Sequence, residues 1–230
     1  KFNQTSANEF FGDSYNFSAI DDKSRLRSLL FKIGADYKTK NLGDLSLGLE
    51  YNDHKYNFGN IDSLNTSNLA NDLKYNGMIF SGSYSKNSDK FKINANFSSA
   101  ISDNISGSSI DGSLGYNLNE DISFMGKISI SSHQPNYNFT LFKSKYISYN
   151  WENDFKNIEN RQFNLEFKSK KYFDLRLDYI DVKNLAYFTK DDFYAVKPFQ
   201  FSDNINIIKV RVSREFSVNK FFFDNEIQYQ

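Results

Sequence analysis

His54 and His133 are the two histidines of the chain, and their ordinary pKa would let them exchange protons near neutral pH. A catalytic pair or a zinc site needs further partners held by local spacing, and none accompanies either residue. Both are expected near strand ends or loops, in a surface or interfacial role. The chain has no cysteine, which removes disulfide scaffolds, thiolate metal sites and cysteine nucleophiles. No G-x-S-x-G, H-E-x-x-H, G-x-x-x-x-G-K or G-x-G-x-x-G occurs. Asp191–Asp192 and Asn119–Glu120–Asp121 could offer oxygens to a hard cation, but neither has EF-hand spacing, so both are read as solvated turns. The N-x-S/T matches at Asn96–Ser98 and Asn138–Thr140 are chance occurrences in an asparagine-rich chain. The expectation is a protein that is not an enzyme, with no catalytic residue, no metal and no cofactor.

What remains to do chemistry is charge placed at every second residue. Leu29, Phe31, Ile33, Ala35 and Tyr37 share one face, opposed by Lys32, Gly34, Asp36 and Lys38. Leu45, Leu47, Leu49 and Tyr51 repeat the pattern against Ser46, Gly48 and Glu50. It returns at Phe91–Phe97, Ile122–Ile130, Phe163–Phe167, Phe173–Tyr179 and Ile208–Val212. Strict alternation marks a strand with two unlike faces. No segment carries a convincing 3.6-residue period. The Ser-, Gly- and Asn-rich stretch Asp103–Asp121 alternates weakly through Ile110, Leu114 and Leu118 and is kept within the same single domain, residues 1–230.

Turn residues punctuate these runs. Short turns are expected at Lys40–Gly43, Asn87–Asp89, Asn119–Glu120, Asn157–Asn160, Lys183–Asn184 and Val218–Lys220, with a tight link at Lys170–Lys171. Longer connections are expected through Asp21–Arg27, Asn60–Asn71, Asp103–Gly107, Ser131–Ser144 and Thr189–Asp203. Short and long connections then alternate, as the periplasmic turns and outer loops of outer-membrane barrels do. The alternation requires a strand on each side of Lys183–Asn184. About 12–14 strands result.

A soluble β-sandwich also alternates, so three features decide. Ser28–Lys38, Leu45–Tyr56 and Lys90–Ile101 match the roughly 9–11 residues of a membrane strand and exceed the roughly 5–6 typical of soluble strands. The apolar faces named above carry no charge, where a Lys or Arg at mid-bilayer would cost about 2–4 kcal/mol. Candidate interfacial aromatics stand towards strand ends at Tyr37, Tyr51, Tyr149, Trp151, Tyr179 and Tyr229. The expected fold is therefore all-β, an antiparallel up-and-down transmembrane β-barrel. The polar faces would line its lumen with Lys32, Asp36, Glu50, Lys92, Lys127, Glu166, Arg176, Asp178, Lys209, Arg211, Asp224 and Glu226. Both signs are present, so the lining reads equally as a weakly selective channel or as an ion-pair lattice filling a plugged barrel.

Composition agrees. Lys plus Arg and Asp plus Glu both number 28, and a nucleic-acid binder would show a basic excess. The chain has 24 Phe and 15 Tyr, whereas disordered chains are aromatic-poor. No run approaches the roughly 20 apolar residues of a membrane helix. No basic–apolar signal segment follows Lys1, so a mature chain or an internal piece is expected.

Tyr149–Asn150–Trp151, Asp178–Phe188 (DYIDVKNLAYF) and Ile205–Gln230 (INIIKVRVSREFSVNKFFFDNEIQYQ) carry a family likeness. Over about the last third, Tyr146 to Gln230, the chain resembles the outer-membrane porin family of Bacteroidota. The resemblance implies a bacterial outer-membrane barrel with pore activity and assigns no functional residue. The chain stops at Tyr229–Gln230 where such barrels commonly end on an aromatic residue, so an incomplete segment of a larger barrel is expected. The expected function is passive diffusion of small polar solutes. The alternatives are an accessory barrel subunit of a larger outer-membrane complex, for transport or secretion, and a soluble extracellular β-sandwich adhesin. The expected partners are outer-membrane lipid and other outer-membrane proteins.

Overall fold

The computed structural model describes residues 11–15, 20–58, 69–102, 104–190 and 195–230. The alternating runs pair as neighbours in one antiparallel sheet. Its strands are β1 (Ser24–Thr39), β2 (Gly43–Phe58), β3 (Asp72–Asn87), β4 (Phe91–Ala100), β5 (Gly107–Asn117) and β6 (Ile122–His133). They continue, past two short strands β7 (Leu141–Phe142) and β8 (Trp151–Glu152), with β9 (Ile158–Ser169) and β10 (Asp174–Lys183). Beyond a second short pair, β11 (Ala186–Lys190) and β12 (Val196–Gln200), lie β13 (Asn204–Val218) and β14 (Phe221–Tyr229). Among the described residues the wall thus has 10 strands in up-and-down order, and β7–β8 and β11–β12 form separate hairpins. β1, β2 and β3 each run 16 residues. Among the described residues no helix is long and apolar enough to cross a membrane.

Two expected turns are corrected. Asn157–Asn160 is not a turn, because Ile158 begins β9 and pairs with His133 at the head of a long ladder. Lys183–Asn184 is a turn between β10 and β11, with Asn184 at φ +57°, but it opens the long connection to β13 and not a wall hairpin. The strand beyond it, β11, pairs only with β12 and does not enter the wall, so the wall holds fewer strands than alternation suggested. Local alternation cannot distinguish a wall strand from a strand in a loop. The link at Lys170–Lys171 is one of the real short turns. Short turns at 40–42, 88–90, 118–121, 170–173 and 219–220 therefore share one end of the sheet, and every longer connection is at the other.

The first turn shows how sequence sets these ends. Thr39 Oγ1 accepts from the Leu42 amide at 3.0 Å and donates to the Gly43 carbonyl at 2.9 Å. Gly43 sits at φ +95°, where a Cβ would stand 2.5 Å from the Ser85 carbonyl oxygen. Gly43→Ala should therefore cost about 1–3 kcal/mol, seen as a lower urea midpoint in lipid vesicles. An unchanged midpoint would mean that the turn tolerates a side chain.

The wall also explains why the chain has almost no interior. Among the described residues only Tyr56, Leu141 and Ala186 are buried hydrophobics. A sandwich would enclose a core between two sheets. Here there is one wall sheet, and its apolar face lies open, with Phe31, Ile33 and Leu165 each more than 60% exposed. Even the weakly alternating β5 follows the pattern: Ile110 and Leu114 join Phe97 and Ile93 of β4 on the apolar face.

That apolar band is oblique to the strand ladders. The ladder from Leu47 passes Gly82, Phe97, Ile110 and Ile130, then reaches Arg161 and Asp181. A level apolar belt therefore needs strands tilted relative to it, which is the stagger of a barrel wall. Glycine helps fill the belt, since Phe97 lays its ring over Gly82, where a Cβ would collide with it.

Candidate functional site

Registers decide which side chains share a face, because direct cross-strand partners point the same way. Lys32 faces Glu50, and Asp36 faces Ser46. Lys92 is carried through Gly115 and Met125 to Glu166, Arg176 and Arg211. Lys127 leads through Asn164 to Asp178 and Lys209. Asp224 and Glu226 of β14 stand opposite Glu215 and Ser213, on the same side as Arg211. The structure thus brings all twelve residues onto one face, opposite the apolar belt. Grooves of about 510 Å³ and 370 Å³ run along it.

The charges are unevenly distributed. On β9–β14 they form a lattice. Arg176 makes a two-pronged contact with Asp178, with Nε 2.9 Å from Oδ2 and Nη2 3.1 Å from Oδ1. Glu166 sits 3.4 Å from both Arg176 and Lys127. Arg211, directly opposite Arg176, turns instead to Glu226 at 3.4 Å and to Gln228 at 3.0 Å. Asn164 Nδ2 donates to Asp178 Oδ1 at 2.7 Å. Opposed charges held this way offset one another and leave little net field. Arg176→Ala removes the cation shared by Glu166 and Asp178, so the lattice gains net negative charge.

Across β3–β6 the same face carries Lys92, Asp111 and Lys127 and is otherwise built largely from small polar residues. Ser81, Ser98, Ser109, Ser131 and Asn160 of β9 form one row through consecutive registers. Ser98 and Ser109 hydroxyls are 2.9 Å apart. Sequence reading named the charges and passed over these serines, although each alternates with an apolar neighbour just as the charged residues do.

At the loop end, the segment between β6 and β9 folds over this polar face. Asn136 caps a single helical turn, Tyr137–Thr140, by accepting from the Asn138 amide at 3.2 Å. Tyr137 stacks on Tyr56 at 5.6 Å and on Tyr75 at 5.5 Å. The Tyr56 hydroxyl donates to Asn138 Oδ1 at 2.9 Å. Burial raises the Tyr137 phenol above its ordinary value, reinforced by Tyr75, so it stays neutral throughout the physiological range. Leu141 is fully buried, and Lys143 Nζ donates to Asn71 Oδ1 at 2.8 Å. The β11–β12 hairpin closes against it through Phe139 and Phe188, stacked at 4.6 Å.

This cap corrects two expected interfacial residues. Tyr149 and Trp151 stand in the cap and not on a wall strand. Trp151 stacks on Phe142 at 4.9 Å, under the Lys197 ammonium. Aromatic content marked them, but a loop can hold its own apolar cluster. Tyr37, Tyr51, Tyr179 and Tyr229 lie on the apolar face. Tyr51 and Tyr179 each stand two residues before an aspartate, Asp53 and Asp181. A second aromatic row went unnoticed at the turn end, where Phe91, Tyr116, Phe124 and Phe167 follow one another in register.

Both histidines lie towards strand ends, His133 exposed and His54 half-buried. His54 lies within β2, His133 ends β6, and both border one groove of about 450 Å³ beneath the cap. Among the described residues no cluster of three His, Cys, Asp or Glu could hold a metal. Asn119 Oδ1 accepts from the amides of Asp121 and Ile122, which makes Asn119–Asp121 a turn. Asp191–Asp192 lies outside the described residues, as do Asp103 and most of Asn60–Asn71.

A family model described as “Putative porin” matches residues 1–230, the whole length. No curated protein matches the chain. Among solved structures it is similar to the siderophore receptor PirA from Acinetobacter baumannii, with a TM-score of 0.57 and 14% identity. That match covers 90% of this chain and 36% of the receptor, so the chain spans about a third of the receptor's length.

Proposed function

This chain belongs to the family described as “Putative porin” and is a bacterial outer-membrane β-barrel protein, and on that premise we propose that it forms a wall of a passive diffusion channel for small polar solutes. The observation that carries the reading is the single continuous polar face, on which all twelve expected lining residues converge. A face of offsetting charges and serine hydroxyls is one that water can wet and small solutes can cross without a tight site. The protein is then not an enzyme and needs no cofactor, and its constant partner is the lipid against the apolar belt. Among the described residues β1 pairs only with β2 and β14 only with β13. A bilayer leaves no backbone edge unpaired, so in the membrane these two edges are paired, with each other or with further strands. Eight strands leave no aqueous channel, whereas about 16–18 do. By the asymmetry of such barrels, the short turns face the periplasm and the cap faces outward.

Full-length protein in planar bilayers should give stepwise ohmic conductance. A well-inserted barrel that stays silent sinks the channel reading. It would favour an accessory subunit of a larger complex, a role that the folded cap and the ion-pair lattice could also serve.

A further inference from the structure

The groove beneath the cap differs in chemistry from the rest of the polar face. It measures about 450 Å³, within the usual range of small-molecule sites, roughly 300–1,000 Å³. Not one residue lining it is Asp, Glu, Lys or Arg, although 24% of the chain is. Its floor is the serine row, with Ser109 and Ser131 in direct register. Its rim is the stacked pair Tyr75 and Tyr137. His54 and His133 stand at its sides, and within the described structure His54 Nδ1 has no hydrogen-bond partner. The carboxylates next along the face are already engaged. Glu50 accepts from Asn52 Nδ2 at 2.8 Å, and Asp111 accepts from Ser129 Oγ at 2.6 Å.

We infer that this groove is a subsite for neutral polyhydroxylated solutes, monosaccharides and short saccharides. The inference rests on the channel reading for its place in a permeation path. Hydroxyls both donate and accept, and they rotate to suit a partner, so a serine row meets a sugar's hydroxyls in either sense. A charged solute would lose hydration there without meeting a counter-ion. An apolar solute would displace water from the serine hydroxyls and imidazoles without replacing its hydrogen bonds. Stacked on one another, the tyrosines present ring edges and hydroxyls at the rim, an amphipathic border that suits the mixed C–H and O–H surface of a sugar.

The test uses full-length protein with glucose, and with glucosamine and glucuronate as its cationic and anionic counterparts. In planar bilayers glucose should raise current noise at concentrations about five-fold or more below those needed for either charged sugar. Ser109→Asp should abolish that preference. Saturation-transfer NMR on the unmutated protein in detergent reads binding without requiring a pore or a variant. A conducting channel that treats the three sugars alike, or ignores them, overturns the subsite and leaves the channel reading standing. A silent barrel that still shows glucose-selective saturation transfer keeps the subsite and overturns the channel. Silence in both measurements overturns both.

Discussion

Replacing Leu165 by arginine is expected to destabilise the membrane-inserted protein by about 2–4 kcal/mol, the cost of a cation at mid-bilayer on a lipid-facing strand. Leu165 is 61% exposed, and it lies opposite Gly126 and Leu177, between Phe163 and Phe167 on its own strand. In water that exposure would make the substitution nearly free. Only lipid gives it a cost, so equilibrium urea unfolding in vesicles reports directly on what touches the apolar face. Ser83→Arg, on the opposite face beside Ser46 and Asn96, should change stability by no more than about 0.5 kcal/mol. Equal costs for the two variants would mean that the apolar face does not meet the membrane.

Leu141→Ala should have an effect of similar size but confined to the cap. Truncating a fully buried leucine typically costs about 2–5 kcal/mol, because the site cannot fully collapse around the missing methyls. Leu141 is completely inaccessible and lies in β7, outside the wall ladders. The loss therefore falls on the contacts that hold the cap down: Tyr137 between Tyr56 and Tyr75, Phe142 on Trp151, and Lys143 on Asn71. The expected outcome is faster proteolysis within residues 134–157 and a larger unitary conductance, with the urea midpoint of the wall unchanged. Unaltered conductance with a cleaved cap would mean that the cap does not restrict the path.

Both predictions depend on features that differ in how far sequence could reach. The lipid-facing and water-facing sets follow from period two alone, since a strand places alternate residues on opposite sides and each turn fixes the parity of the next strand. Lys32 and Glu226 could be assigned to one face without knowing that nearly the whole wall lies between them. The cap was not legible in this way. Tyr149 and Trp151 look like strand-end aromatics, and β11, only five residues long (AYFTK), carries no local mark of whether it joins the wall or a loop hairpin. That His54 and His133 border one groove was equally hidden, since it depends on the three strands between β2 and β6 and on the cap that roofs them.

By itself the sequence determined that charges and apolar residues occupy opposite faces of long antiparallel strands, and that no metal or nucleophile chemistry is encoded locally. These are consequences of side-chain period and residue type, which act within a strand. Tertiary structure decided which charges neutralise each other and which part of the polar face is left to serine hydroxyls. It also decided that the two histidines share a groove under an inward-folded cap. Those outcomes depend on register summed across the sheet and on loop packing, and neither is a property of any segment read alone.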